Sequence, residues 1–520
     1  MSCVTRRDFV KLTAATGGVI ALGGCAPWEQ ADPEHALDHL LRDATPSSLE
    51  WRLLNRVGYG PRPGDLEKLR SVGVSTFIDE QLHPEAIVES ADLLAALEGL
   101  ETLTLSPEAA RDRETEWEGD EAITPVVQKV LKLGKNRELN PGPVRKELVQ
   151  AAVLQAAFSS RQLQQVMTEF WRDHFNIFFS KGACRWLQTA DDRMLREHAL
   201  GRFRDLLGAS VRSPAILSYL DADENRRPDP SGEVHRNENY GRELLELHTL
   251  GDPSAYTLQD VQETARILTG LSFGGWGEAD EGEFTFRAAN HDDGEKIVLG
   301  ERFPAGRGME DVEQLLDFLA AHPLTARSIT KKLCQQFLGA VPPELHERLV
   351  RVFGASGGDI RVVLAELLHS REFSAGSERQ FKRPFQFAIS ALRMLGVRTS
   401  GAGIGDYLAA MGQQPFAWPR PDGYPREAAF WTSGLPSRWR FALALADNRI
   451  EETWINFGSL ERAVRGRDLA ASCRQLYTGL IGSPPGEDLV RALTGLSDKP
   501  AEALPQWMAL VLMSPQFQWC

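Results

Sequence analysis

The sequence predicts a mainly α-helical protein: a large multi-helix body with a small β-hairpin insertion near residues 283–299. Three observations predict it. Apolar residues recur at helical spacing through most segments between residue 48 and the C-terminus. Strand-type patterning is confined to Glu283–Arg287 and Ile297–Leu299. The composition, 42% hydrophobic and 25% charged over 520 residues, is that of a folded chain able to bury a large core. This length suits two to four domains or one large body.

The first 24 residues read as an address. Thr5-Arg6-Arg7-Asp8-Phe9-Val10-Lys11 has the form of a twin-arginine export signal, with Arg6 and Arg7 as the pair that a receptor reads. Leu22-Gly23-Gly24-Cys25 has the form of a lipobox, in which small residues give a signal peptidase access to the thiol of Cys25 for lipidation. The apolar run between them is too short, and too rich in Gly, Ala and Thr, to span a bilayer. The expectation is export by the twin-arginine route in the folded state, with a membrane anchor at Cys25 in the periplasm or on the cell surface. Residues 25–47 are polar and read as a tether. Export of a folded protein also allows a cofactor or partner acquired beforehand.

The body divides by composition into an N-terminal helical region (48–142), a central helical region with the hairpin (143–305), a third helical region (306–400) and a C-terminal region (401–520). In the first, Leu49, Leu53 and Leu54 and then Leu66 and Leu69 lie at helical spacing, and Pro63 before Asp65-Leu66 suits a helix start. Pro107–Pro125 is acidic and reads as a surface loop. In the central region, helices are expected at Leu148–Gln155, Val166–Asn176, Asp191–Leu207, Asn237–Leu250 and Leu258–Thr269. Phe273-Gly274-Gly275-Trp276 then opens a turn into the two strand-like segments, expected to pair with each other. In the third region, Asp359 suits the N-cap of a helix running to His369, and Phe385–Leu395 is another helix. The last region opens with an aromatic, proline-rich loop at Pro415–Pro425 and ends in helices. Leu367–Phe373 and Val511–Phe517 echo each other: an apolar helix ends at Ser, with Phe three residues on.

Charge and cysteine usage exclude several classes. The formal net charge is −14, and removal of residues 1–24 (Arg6, Arg7 and Lys11 against Asp8) leaves −16. Such a chain repels a phosphate backbone, and no basic cluster with interleaved aromatics occurs, so nucleic-acid binding is not expected. Cys184, Cys334, Cys473 and Cys520 are scattered, with no Cys-x-x-Cys for zinc, redox or haem. Three pairings are open to them in an oxidising compartment, and Cys334 fits a buried small hydrophobe. No phosphate-cradling Gly-x-x-x-x-Gly-Lys-Ser/Thr loop occurs.

Three segments concentrate polar chemistry. On a regular helix, Asn239, Arg242, Glu243 and Glu246 of Asn237–Gly251 share about 100° of arc between leucines, with His248 roughly opposite Glu246. Arg242 stands four residues before Glu246, within pairing reach. The stripe is either ligand-facing or an internal salt-bridge network. Trp171-Arg172-Asp173-His174-Phe175-Asn176 sets His174 and Asn176 among aromatics. Asn290-His291-Asp292-Asp293-Gly294-Glu295-Lys296 reads as a loop, where His291 with Asp292 suits a metal or an oriented base. If the three converge, Glu243 or Glu246 would act as general base or metal ligand and Arg242 would bind an anion. His174, His291 and Asp292 would then hold a divalent metal or carry protons. Lys382-Arg383-Pro384 and Trp418-Pro419-Arg420-Pro421 suit a cleft lining, or else a helix entry and a rigid loop.

In this order, these segments resemble the bacterial family named domain of unknown function 1800. Further matching pieces are Leu53–Pro61, His198–Phe203, Ala265–Gly270, Ser356–Asp359, Lys382–Pro384 and Trp431. Two residues depart from the family pattern: Gly241 where Ala is expected, and Tyr424 where relatives tend to have Trp. A Gly inside a helix costs about 0.5–1 kcal/mol. The resemblance implies a mostly helical exported protein whose relatives are encoded beside an exported family that looks like a sulfatase or alkaline phosphatase. It supplies no catalytic residues. The function expected is therefore a lipid-anchored envelope protein acting with such a partner. The alternative is an envelope enzyme, such as a metal-dependent hydrolase, with a His/Glu/Asp site.

Overall fold

The computed structural model describes residues 49–121, 142–228, 237–376, 378–457, 468–482, 484–496 and 500–520. Arg6, Arg7, Cys25 and the tether lie outside the described residues. The chain is mainly helical with short antiparallel hairpins.

The helices that position the polar segments are α1 (Leu49–Arg56), α2 (Pro143–Phe158), α3 (Gln162–His174) and α4 (Cys184–His198). They are followed by α5 (Glu238–Glu243), α6 (Leu258–Ile267), α7 (Met309–Ala321), α8 (Pro323–Leu338) and α9 (Pro384–Met394). One apolar core runs from Leu53 to Phe517 and takes in side chains from all four sequence regions. α2 is apolar on nearly all sides, and ten of its sixteen residues are buried, as a helix surrounded by others must be.

Local sequence signals explain the ends of many elements. Pro143, Pro323 and Pro384 start α2, α8 and α9, where the missing N–H is no loss. Asp359 caps the helix Ile360–Leu368 by accepting from Val362 N–H. The echoed segments share one device. Ser370 Oγ accepts from Phe373 N–H at 3.0 Å, and Ser514 Oγ from Phe517 N–H at 3.4 Å, each closing one helix end and opening a short helix. Cys184, Cys334 and Cys473 are buried, and all four described cysteines carry free thiols.

Three local expectations differ. Asp191–Leu207 is not one helix: α4 ends at His198 and a separate helix runs Phe203–Val211. Pro107–Glu121 is a helix, not a loop. Arg111 of that helix pairs with Glu281 and lies over the Trp276 ring, so the region 276–281 supplies contacts that the acidic segment lacks by itself. The two strand-like segments are strands but do not pair with each other. β1 (Leu271–Phe273) pairs with β2 (Phe284–Phe286), and β3 (Lys296–Val298) with β4 (Glu301–Phe303). β3 finds its neighbour across a two-residue turn, Leu299-Gly300, while β2 pairs back across the glycine-rich turn.

Candidate functional site

The densest polar segment is not one regular helix. α5 ends at Glu243, and Leu244–Leu250 continues as a π-helix, whose turns are wider. Thr249 Oγ1 donates to the carbonyls of Leu244 and Leu245 inside it. The widening falls between Arg242 and Glu246, and no ion pair joins them. Arg242 is exposed, while Glu246 Oε2 accepts from the Tyr256 hydroxyl at 2.6 Å. Glu243 is half-buried. Burial, and secondarily Glu246, hold its carboxyl above the ordinary range, with Asp422 of the proline-rich loop adding to the effect.

His248 is buried beside His174 of α3 and Phe175. The end of the π-helix presents carbonyls with no intrahelical partner. His174 Nε2 donates to His248 O at 3.1 Å, and Lys332 Nζ of α8 donates to Leu247 O at 3.1 Å and to His174 Nδ1 at 2.9 Å. Since Nε2 donates, Nδ1 is the acceptor, and His174 is a neutral imidazole. Burial and the Lys332 charge push its pKa well below the usual value. The same two causes bring His248 down to about 3, and burial lowers Lys332 to about 8. No motif pointed to Lys332, which reaches His174 from 158 residues away.

The other polar groups of Trp171–Asn176 are also occupied. Arg172 pairs with Asp192 and lies over Phe416. Asp173 pairs with Arg383, which also donates to Glu169 at 2.9 Å. Asn176 Nδ2 donates to the carbonyls of Trp418 and Arg420 at 3.0 and 2.7 Å, and so holds the proline-rich loop.

His291 and Asp292 adjoin in sequence but serve separate networks. Thr269 O and His291 Nδ1 are 2.8 Å apart, and His291 Nε2 lies 3.4 Å from Lys296 Nζ. Lys296 pairs with Asp311 at 2.7 Å, and all three side chains are buried. Asp292 instead accepts two hydrogen bonds from Arg266 of α6, which hold its pKa at about 2. Among the described residues, no group of three or more His, Cys, Asp and Glu side chains is placed to hold a metal ion.

The larger cavities lie elsewhere, on either side of Lys382-Arg383. One, of about 340 Å³, is lined by Arg56, Tyr59, Glu169, Arg383 and Arg426 among others. The second, of about 200 Å³, is lined by Arg52, Lys382, Leu480 and Phe517. Asn55, Arg379 and Trp519 belong to both. Lys382 and Arg383 thus line cavities, facing residues between Asn55 and Pro61, and Pro384 opens α9.

Fold and site together define a mainly helical body in which buried charged ties lock distant segments to one another. The chain belongs to the family described as "Protein of unknown function (DUF1800)", whose model matches residues 52–519. No curated protein and no solved structure matched it. No described helix is long and apolar enough to cross a membrane.

Proposed function

We propose that this protein is exported by the twin-arginine route, anchored by lipid at Cys25, and acts at the cell envelope as a non-catalytic partner of a co-exported hydrolase-like protein. One observation carries the non-catalytic reading. The polar side chains of the signature segments are engaged with protein groups: His174 on a helix end, Asp173 on Arg383, Asn176 on a loop backbone, Asp292 on Arg266. A catalytic centre needs acid, base or ligand groups converging on a point where substrate can react. Assembly of so many buried ion pairs before transport is also consistent with a route that carries folded proteins.

One observation favours the alternative of an envelope hydrolase. Glu243 is half-buried with a raised carboxyl beside Glu246 and Asp422, an arrangement that suits a general acid or base. Single variants separate the readings. His174→Gln and His291→Gln are expected to lower stability. Glu243→Gln and Glu246→Gln are expected to stay folded, retain a partner protein on native purification and leave the cellular phenotype intact. A folded Glu243→Gln protein that keeps its partner and loses the phenotype would overturn the non-catalytic reading. For the address, Cys25→Ser should release the protein from membranes, and Arg6→Lys with Arg7→Lys should hold it in the cytoplasm. Unchanged fractionation would refute the assignment.

A further inference from the structure

We propose that the two cavities flanking Lys382 form a binding site for a small organic oxyanion, a carboxylate or phosphate ester. The proposal does not rest on the partner reading, since it is argued from the cavity linings alone. Six cationic side chains line the pair of cavities: Arg52, Arg56, Arg379, Lys382, Arg383 and Arg426. Three side-chain carboxylates, Glu169, Glu378 and Glu427, face them. This surplus of three positive side chains occurs on a chain of net charge −14. Glu169 is already held by Arg383.

Two of the cations are built in. Lys382 is 4% exposed, and its ammonium lies 4.0 Å over the Phe517 ring. No described carboxylate stands within ion-pair distance of it. Arg56 is 3% exposed. Its Nη2 donates to the carbonyl of Glu378 and to an oxygen of the terminal carboxyl group of Cys520, while Nε and Nη1 have no partner. Buried cationic donors left unfilled are costly to a fold, and a bound anion would fill them. Burial brings Lys382 down to about 8, which leaves it charged at neutral pH. Charges in a concave, low-dielectric site also attract anions more strongly than exposed ones. Apolar walls from Trp51, Met394, Leu480 and Phe517 fit the carbon body of an organic acid better than a bare inorganic ion.

The test is thermal unfolding and calorimetric titration of the full purified chain with inorganic phosphate, sodium acetate and sodium benzoate, each against sodium chloride at equal ionic strength. The expected result is a saturable rise in melting temperature with at least one probe and none with chloride. Phosphate alone would point to a phosphate ester, while acetate or benzoate would point to a carboxylic acid. Lys382→Met should match or exceed the parent's stability in chloride, since it removes a buried charge, and should weaken binding about tenfold, or about 1.4 kcal/mol. Arg379→Gln, at a half-exposed position, should weaken binding in the same direction, and it decides the matter if Lys382→Met fails to fold. No saturable response to any probe, or equal binding by parent and folded variants, would overturn the proposal.

Discussion

Gly241 gives a test in which local propensity and tertiary packing predict opposite signs. Helix propensity alone says Gly241→Ala should stabilise by up to about 1 kcal/mol. The packing says otherwise. Gly241 is buried where α5 crosses α6, and an added Cβ would sit 2.9 Å from Val261 O, 3.1 Å from Ala265 N and 3.4 Å from Ala265 Cα. These are backbone atoms, so no rotamer change relieves the contact and the helices must move apart. Overpacking of this kind costs about 1–3 kcal/mol. Set against the propensity gain, the net expectation is a loss of about 1–2 kcal/mol. Gly354 provides the internal control. It lies in the helix Pro343–Ala355, is exposed, and an added Cβ would meet nothing within 4 Å. Gly354→Ala should therefore stabilise by about 0.5–1 kcal/mol. Urea unfolding followed by circular dichroism reads both, provided the slope m is unchanged. A Gly241→Ala protein as stable as the parent or more so would refute the close-approach reading.

Three further expectations follow from buried charge. Lys296→Met would leave buried Asp311 with only the more distant Arg307 cation, at 3.8 Å, and cost up to about 3–5 kcal/mol, and adding Asp311→Leu should recover most of it in a double-mutant cycle. Arg383→Met would strand Glu169 and Asp173 together and cost a similar amount, with partial recovery on Asp173→Asn. Asp191 is buried, accepts from Ser213 Oγ at 2.6 Å through Oδ1, has no partner at Oδ2, and is raised by burial from 3.8 to about 7. Its folded pKa is the higher one, so the folded state holds the extra proton between these values. Stability should then fall as pH rises from about 4 to 7, by on the order of 4 kcal/mol at most, and Asp191→Asn should flatten that slope. A slope unchanged in the Asn variant would place the titration on another group.

The fold class was legible because it rests on local periodicity, and so were the caps at Asp359, Ser370 and Ser514, whose signals span three residues. What the sequence concealed was non-local. The acidic segment Pro107–Glu121 has no apolar stripe, so its helical state depends on partners such as Glu281 and Trp276 more than 150 residues away. The strands near 283–299 could be found but not paired, since pairing depends on connection geometry. At the candidate site, a uniform helical period placed Arg242 beside Glu246, and the π-helix from Leu244 separates them. Lys332 carried no signal at all: a lysine in a helix usually points to solvent, and only α3 and the π-helix together hold this one part-buried against His174 and Leu247.

These facts alter the meaning of the signature helix. Its C-terminal end carries partial negative charge from unpaired carbonyls. A cation there is favourable but, deep in the body, would be expensive if it sat directly on the helix end in a dry environment. The chain divides the task. His174 brings a neutral N–H to His248 O, and Lys332 brings the charge to Leu247 O while donating to the far side of the same imidazole. Each group fixes the other: the lysine holds the histidine in the tautomer that donates through Nε2, and the histidine offers the lysine an acceptor that carries no charge. A second proton on His174 would set two N–H donors face to face at Nδ1 and break the arrangement. The two richest polar segments, which look from sequence like halves of an active site, are on this reasoning two parts of one helix-capping device that docks α3, the π-helix and α8 together.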